Sequence, residues 1–144
     1  MDIPRDSMSS IGYLTNYAGR LLVRALERRL DGKSAGPMPV FLALTAGAAL
    51  PQKELARLAA VEQPTMANTL ARMERDGLIA GEPDPNDRRS TLLRLTRLGQ
   101  ERADAALTAA GKVNMLALSA LKPAERPLFI DMLRRVIATL EADG

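Results

Sequence analysis

The residues best suited to chemistry lie in the middle third of the chain. Gln63, Thr65, Asn68, Arg72 and Arg75 fall within thirteen positions, and the adjacent pair Arg88 and Arg89 follows soon after. Amide and guanidinium groups pair bidentately with base edges and phosphates, so this set suits nucleic-acid recognition. The arginine pair follows "DPND" (84–87), in which Pro85 suits the second position of a turn and Asn86 the third. Asp84 and Asp87 are expected to brace one guanidinium by charge-assisted hydrogen bonds and leave the other free. A stiff turn presenting a free arginine suits entry into a DNA minor groove. The same carboxylates are poor candidates for acid–base catalysis, because an exposed hairpin tip beside arginines keeps them ionised. The plain alternatives are a solvated hairpin for Arg88 and Arg89 and an ordinary exposed helix face for Asn68 and Arg72.

Composition narrows the field further. The 144 residues contain no cysteine and no histidine. No thiol switch, cysteine nucleophile, Ser–His relay or His/Cys zinc site can therefore be built, and no carboxylate cluster suggests another metal. No catalytic residue, metal or cofactor is expected. A net charge of +3 permits nucleic-acid binding without demanding it. Apolar residues make up 47% and aromatic residues 3%, so the core must be built from Leu, Ala, Val and Met. The run 39–50 is too short to cross a bilayer and "MDIPRDSMSS" does not read as a signal peptide, so a cytoplasmic, membrane-free protein is expected.

The elements that position these residues follow from periodicity. Ile11, Leu14, Ala18, Leu21, Leu22 and Ala25 predict a long helix over about 8–31, capped by Ser9 or Ser10 and ended by "DGKSAGP". A second helix is predicted from Pro39 to about Gly47. In 51–79, two short amphipathic helices meet at "AVEQP", with Pro64 at the first position of the second helix and Gly77 as its left-handed stop. Met66, Leu70 and Met73 share the inner face of that second helix and leave the polar set outside, which is a helix-turn-helix pattern. Leu78–Ile79 and Thr91–Leu95 read as paired strands, a wing. Thr96 can cap a helix running to about Ala120. A last helix over about 124–142 carries Leu128, Met132, Leu133, Val136, Ile137 and Leu140 on one stripe.

This order of motifs closely resembles the MarR family of winged-helix transcription regulators, over nearly all of 11–140. "DPNDRRSTLLRLTRLG" (84–99) matches the family's wing signature, and "QKELARLAAVEQPTMANTLARMERDGLI" (52–79) its helix-turn-helix. The resemblance implies a mainly α fold with a small β-hairpin wing. One MarR-like domain would span 1–144, with a DNA-binding lobe at about 38–96 between dimerisation helices at about 8–31 and 97–142. It implies a homodimer on a pseudo-palindromic double-stranded operator, probed by Gln63, Pro64, Thr65, Asn68 and Arg72. It also makes Arg89 the residue that enters the minor groove and Arg88 the braced one. A departure falls at Ala80-Gly81, where members of the family often carry basic residues for a phosphate contact or wing brace.

A repressor released by a small aromatic or anionic effector is the expected behaviour; the alternative is an effector-independent winged-helix protein acting through DNA or protein contact. For the effector, Tyr13, Tyr17 and Arg20 align along the first helix beside its apolar face. With Met38 and Phe41 as apolar wall they would suit an aromatic carboxylate. The plainer reading of the stripe is aromatic–cation stacking on a solvated surface.

Overall fold

The computed structural model describes residues 9–144. Its elements run α1 (Ile11–Glu27), α2 (Met38–Leu44), a 3-10 turn (Thr45–Gly47), α3 (Gln52–Ala59), α4 (Gln63–Arg75), β1 (Ile79–Asp84), β2 (Asp87–Leu95), α5 (Arg97–Leu118) and α6 (Glu125–Asp143). The fold is mainly helical with one two-stranded hairpin, as the sequence predicts. The chain falls into two compact units, one running to Ala110 and one formed by Gly111–Gly144.

The first unit is built on α2, α3, α4, the hairpin and the first half of α5. One core cluster joins Val40, Phe41, Leu44, Leu55, Met66, Leu70, Met73, Leu78 and Ile79 to Ala103 and Ala106 of α5. Leu44, Leu55, Met73 and Val40 are its most enclosed side chains, each stabilising by roughly 1.5–3 kcal/mol relative to exposure. Ala103 and Ala106 are the residues through which α5 joins this cluster. In α1 only Ala25 and Leu26 are buried, while Ile11, Leu14, Tyr17, Leu21, Leu22 and Val23 are exposed. Met8, where the predicted first helix begins, lies outside the described residues. Ser10 holds the N-cap position without a side-chain cap bond. The break after α1 comes from backbone: Asp31 (φ 52°) and Gly32 (φ 79°) are both left-handed.

The helix-turn-helix departs slightly from its predicted form. α4 begins at Gln63, so Pro64 is its second residue, still among the first N–H groups that need no helical partner. The turn rests on Ala60, which adopts φ 53° and ψ 43°. Val61 N–H donates to Ala56 O at 3.1 Å and Ala60 N–H to Arg57 O at 3.1 Å, a Schellman stop with alanine where glycine is favoured. The Arg57 guanidinium hydrogen-bonded to Glu54 holds that carboxyl below its ordinary pKa.

In the second unit α6 buries no residue, and Leu128, Phe129, Met132, Ile137 and Leu140 are all exposed. Its start is locked by Lys122 N–H donating to Glu125 Oε1 (2.8 Å) and Glu125 N–H to Lys122 O (2.8 Å).

Candidate functional site

The outward face of α4 is set by its buried one. Met66, Leu70 and Met73 are buried, and at about 100° per residue Asn68, Arg75 and Pro64 lie within ~30° of the point diametrically opposite. Thr65 and Arg72 sit on one flank, and all five of these residues are exposed. Gln63 is exposed as well but belongs to the other flank, where its carbonyl accepts a bond from Gln52 Nε2 at 3.4 Å. The helix ends on Gly77 (φ 73°), with Leu78 N–H donating to Met73 O at 2.8 Å and Gly77 N–H to Glu74 O at 3.0 Å. This second Schellman stop sends the buried Leu78 straight into the wing.

The wing is longer than the sequence suggests. β1 and β2 pair antiparallel from Ile79↔Leu95 to Asp84↔Asp87, leaving only Pro85 and Asn86 as the turn, with an irregularity between Pro83 and Asp84. Arg88 and Arg89 are therefore strand residues rather than loop residues, and alternation sends them to opposite faces of the hairpin. The predicted brace takes another form. Asp84 Oδ1 accepts from Asn86 N–H (2.9 Å) and Asp87 Oδ1 from Arg89 N–H (3.0 Å), so both carboxylates fix backbone rather than a guanidinium. The reason is local: each side chain reaches an N–H two residues on, closer than any guanidinium across the turn. The guanidinium brace lies lower down, where Arg94 pairs with Glu82 across the strands at 2.8 Å. It lies next to the departure at Ala80-Gly81. Ala80 pairs with Arg94 in the ladder, and a Cβ on Gly81 would stand 2.8 Å from Thr91 Cγ2. A side chain at 81 would have to displace the Thr91 methyl, and the cross-strand cation comes from β2 instead. The hairpin gains a third contact that periodicity did not reveal: Leu50 bridges Leu93 by N–H···O bonds of 3.0 and 2.9 Å.

The Leu-Thr-x-x-Gly part of the motif joins the wing to α5. Thr96 Oγ1 donates to Gly77 O (2.6 Å) and accepts from Gly99 N–H (3.0 Å), while Thr96 N–H donates to Leu78 O (3.0 Å). Thr96 thus caps α5 and ties it to the stop of α4. Gly99 is buried against the Leu78 carbonyl, where a Cβ would lie 1.8 Å from the oxygen. Sequence reading foresaw the cap but not this contact.

Between the turn after α1, α2, α4 and α5 lies a cavity of about 350 Å³, of a size that suits a small ligand. Leu30, Met38, Phe41, Met73, Leu78 and Ala106 give it apolar walls. Arg29, Lys33, Arg72, Arg75 and Arg102 line it beside only two acids, Asp31 and Asp76, an excess of three positive charges. The structure therefore divides the proposed effector set. Met38 and Phe41 line the cavity; Tyr13, Tyr17 and Arg20 do not. The tyrosine rings stack on each other at 5.9 Å and 8°, and the ten residues from Tyr17 to the end of α1 carry them ~15 Å from the cavity end of that helix. Arg29, Lys33 and Arg102 escaped notice because each is unremarked within its own segment; only the fold brings the turn after α1 and the start of α5 to one cavity. Arg102 does precede Ala105 and Ala106 by three and four positions, the one sequence signal that puts it on the inner side of α5.

Comparison with known proteins agrees with this architecture. The MarR family model matches residues 44–91, the span from the end of α2 into β2. The HTH-type transcriptional repressor NicR of Pseudomonas putida is 28% identical over 140 residues, covering 91% of this chain and 89% of its own. Among solved structures, Bordetella bronchiseptica BpsR, whose DNA binding is regulated by 6-hydroxynicotinic acid, superposes with a TM-score of 0.79 at 26% identity, covering 89% of this chain and 93% of BpsR. Streptomyces coelicolor PcaV in complex with its natural ligand gives a TM-score of 0.80 at 26% identity, covering 96% and 98% of the two chains. With the helix-turn-helix, the wing and its Leu-Thr-x-x-Gly junction all in place, the chain is similar to the winged-helix transcriptional regulators of the MarR family, whose model it matches over one third of its length.

Proposed function

We propose that this protein is a cytoplasmic, homodimeric repressor that binds a pseudo-palindromic DNA operator and releases it when a small aromatic anion fills the cavity. The observation that carries the DNA reading is the exposed face of α4, with Pro64, Asn68 and Arg75 opposite the buried stripe and Arg72 beside them. Amide and guanidinium groups at these positions suit base edges in a major groove. Arg88 and Arg89 lie on a hairpin whose tip is stiffened by two aspartate–backbone bonds, a form suited to the neighbouring minor groove. Uncovered apolar side chains on α1 and on α6 favour a second copy as their cover. Two-fold symmetry would then set two α4 helices about 34 Å apart on the duplex. Repression is favoured by the likeness to NicR, itself a repressor. The anionic effector is favoured by the cationic lining over apolar walls, and by the likeness to BpsR, which answers to 6-hydroxynicotinic acid.

The test is a duplex selected from a random pool by the purified protein, followed by titration with salicylate and 6-hydroxynicotinate. Binding of one dimer per duplex, and its loss with either acid at up to millimolar levels, is the expected result. A stable monomer in sedimentation, or no selected sequence, refutes the DNA reading. Selected DNA that no acid releases leaves the effector-independent alternative.

A further inference from the structure

The cavity and the DNA-reading face share side chains. Arg72 is exposed on α4, yet it lines the cavity along the same flank as Thr69 and Met73. Arg75 also reaches the cavity, but its guanidinium lies 3.6 Å from Asp76 and is partly satisfied there. Among the described residues Arg72 has no ion-pair partner. An aromatic acid seated against Met38, Phe41 and Met73 would meet in Arg72 an unengaged fork matching its carboxylate.

From this juxtaposition we propose that a cavity anion and DNA compete directly for the Arg72 guanidinium; the inference rests on the effector reading above. A guanidinium engaged bidentately by a carboxylate has turned the same N–H groups away from a base edge or phosphate. Release then needs no change in the spacing of two lobes. The ligand withdraws one reading side chain from each recognition helix.

This coupling has a ceiling. If the ligand acts only by withdrawing Arg72, saturating ligand costs wild-type protein the DNA affinity lost by Arg72→Ala and no more. The two perturbations would also be non-additive, as expected for groups that share one interaction. A ligand acting through lobe spacing would instead multiply with the substitution.

The experiment measures binding of the selected duplex by wild-type and Arg72→Ala protein, with and without saturating salicylate, while calorimetry follows salicylate binding to each. Arg72 is exposed, so its truncation leaves no cavity in the core, and thermal unfolding checks that the fold is kept. Arg72→Ala is expected to weaken DNA binding roughly tenfold or more. Saturating salicylate should weaken wild-type binding by the same factor within about twofold. It should add less than twofold to the variant, and the variant should bind salicylate more weakly. A loss in wild-type protein well beyond that of Arg72→Ala overturns the shared-arginine inference and leaves the effector reading standing. So does an undiminished response of the variant. Failure of salicylate to bind wild-type protein removes both.

Discussion

The contact most sensitive to a single methyl group is at Gly99. A Cβ there would sit 1.8 Å from Leu78 O, 2.8 Å from Leu78 C and 3.3 Å from Leu78 Cα. Opening the shortest of these to 3.0 Å requires a shift of about 1.2 Å. Neither side moves freely. Leu78 is 5% exposed and its N–H closes the stop of α4, while its carbonyl accepts Thr96 N–H at 3.0 Å. On the other side Gly99 N–H is held by Thr96 Oγ1 at 3.0 Å. Overpacking a closed core typically costs 1–3 kcal/mol. The displacement also strains two or three hydrogen bonds worth about 1 kcal/mol each. Gly99→Ala should therefore lower stability by ~3–6 kcal/mol, a large share of the roughly 5–15 kcal/mol that a domain has. The same helix supplies a control. Gly111 has nothing within 4 Å of its Cβ direction, so Gly111→Ala should gain stability by up to ~1 kcal/mol through helix propensity alone. Urea denaturation of the two variants and the parent measures both effects. Because the strained contact lies between the end of α4 and the wing, Gly99→Ala should also lose DNA affinity at temperatures where it remains folded. Equal stabilities for Gly99→Ala and Gly111→Ala would refute the close-contact account of the Leu-Thr-x-x-Gly motif.

Three further outcomes are expected. Ala60→Gly removes a side chain from a left-handed residue at the stop of α3 and should stabilise by ~1 kcal/mol, raising Tm by roughly 2–4 °C in a thermal scan. Arg89→Ala should weaken duplex binding by ~1–3 kcal/mol. Arg88→Ala, on the opposite hairpin face, should change affinity by a different factor, so identical salt-dependent losses for the two would contradict their separation. Arg20→Ala should leave the salicylate response unchanged in a release assay, since Arg20 stands off the cavity lining; a weakened response would restore the tyrosine–arginine stripe to the effector site.

The fold was legible where local signals and packing agree. Apolar spacing in 63–75 marked Met66, Leu70 and Met73 as the inner face of α4, and all three are buried. Gly77 was readable as a stop because its left-handed backbone is one that side chains resist. Ala60 takes the same backbone conformation without the glycine that would announce it, so the turn showed only through the helices beside it. The Leu50–Leu93 bridge left no trace for a different reason. A single paired residue has no period, and its partner is 43 positions away. The wing was underestimated because Pro83 and the Asp84–Asp87 turn look like loop in composition, although Pro83 opposes Thr91 next to the ladder irregularity, where the N–H that proline lacks is least needed.

The site shows a sharper limit of the same kind. Helical periodicity assigns a residue an angle about its own axis, and the angle of Arg72 puts it on the flank of α4 next to Thr69, outside the buried stripe. That angle alone reads as solvent, and hence as DNA. What occupies the space beyond the flank depends on α5, whose Arg102, Ala105 and Ala106 close the cavity from more than 25 residues further along the chain. The tyrosine stripe erred in the opposite direction. Its i, i+4 spacing was right, and the rings do stack. Alignment along α1 says nothing, however, about which end of that helix meets the helix-turn-helix. The buried residues settle that, since Ala25 and Leu26, near the C-terminal end of α1, are the two it buries. A ligand held near that end therefore meets Arg29, Lys33 and Arg72 rather than two phenols. Cationic side chains around an apolar wall select for negative charge first and ring substituents second. Affinity across a series of aromatic acids should accordingly fall more on converting the carboxylate to an amide than on removing a hydroxyl. Calorimetry with salicylate, salicylamide and benzoate makes that comparison, and salicylamide binding as tightly as salicylate would contradict the assignment of the cavity to an anion.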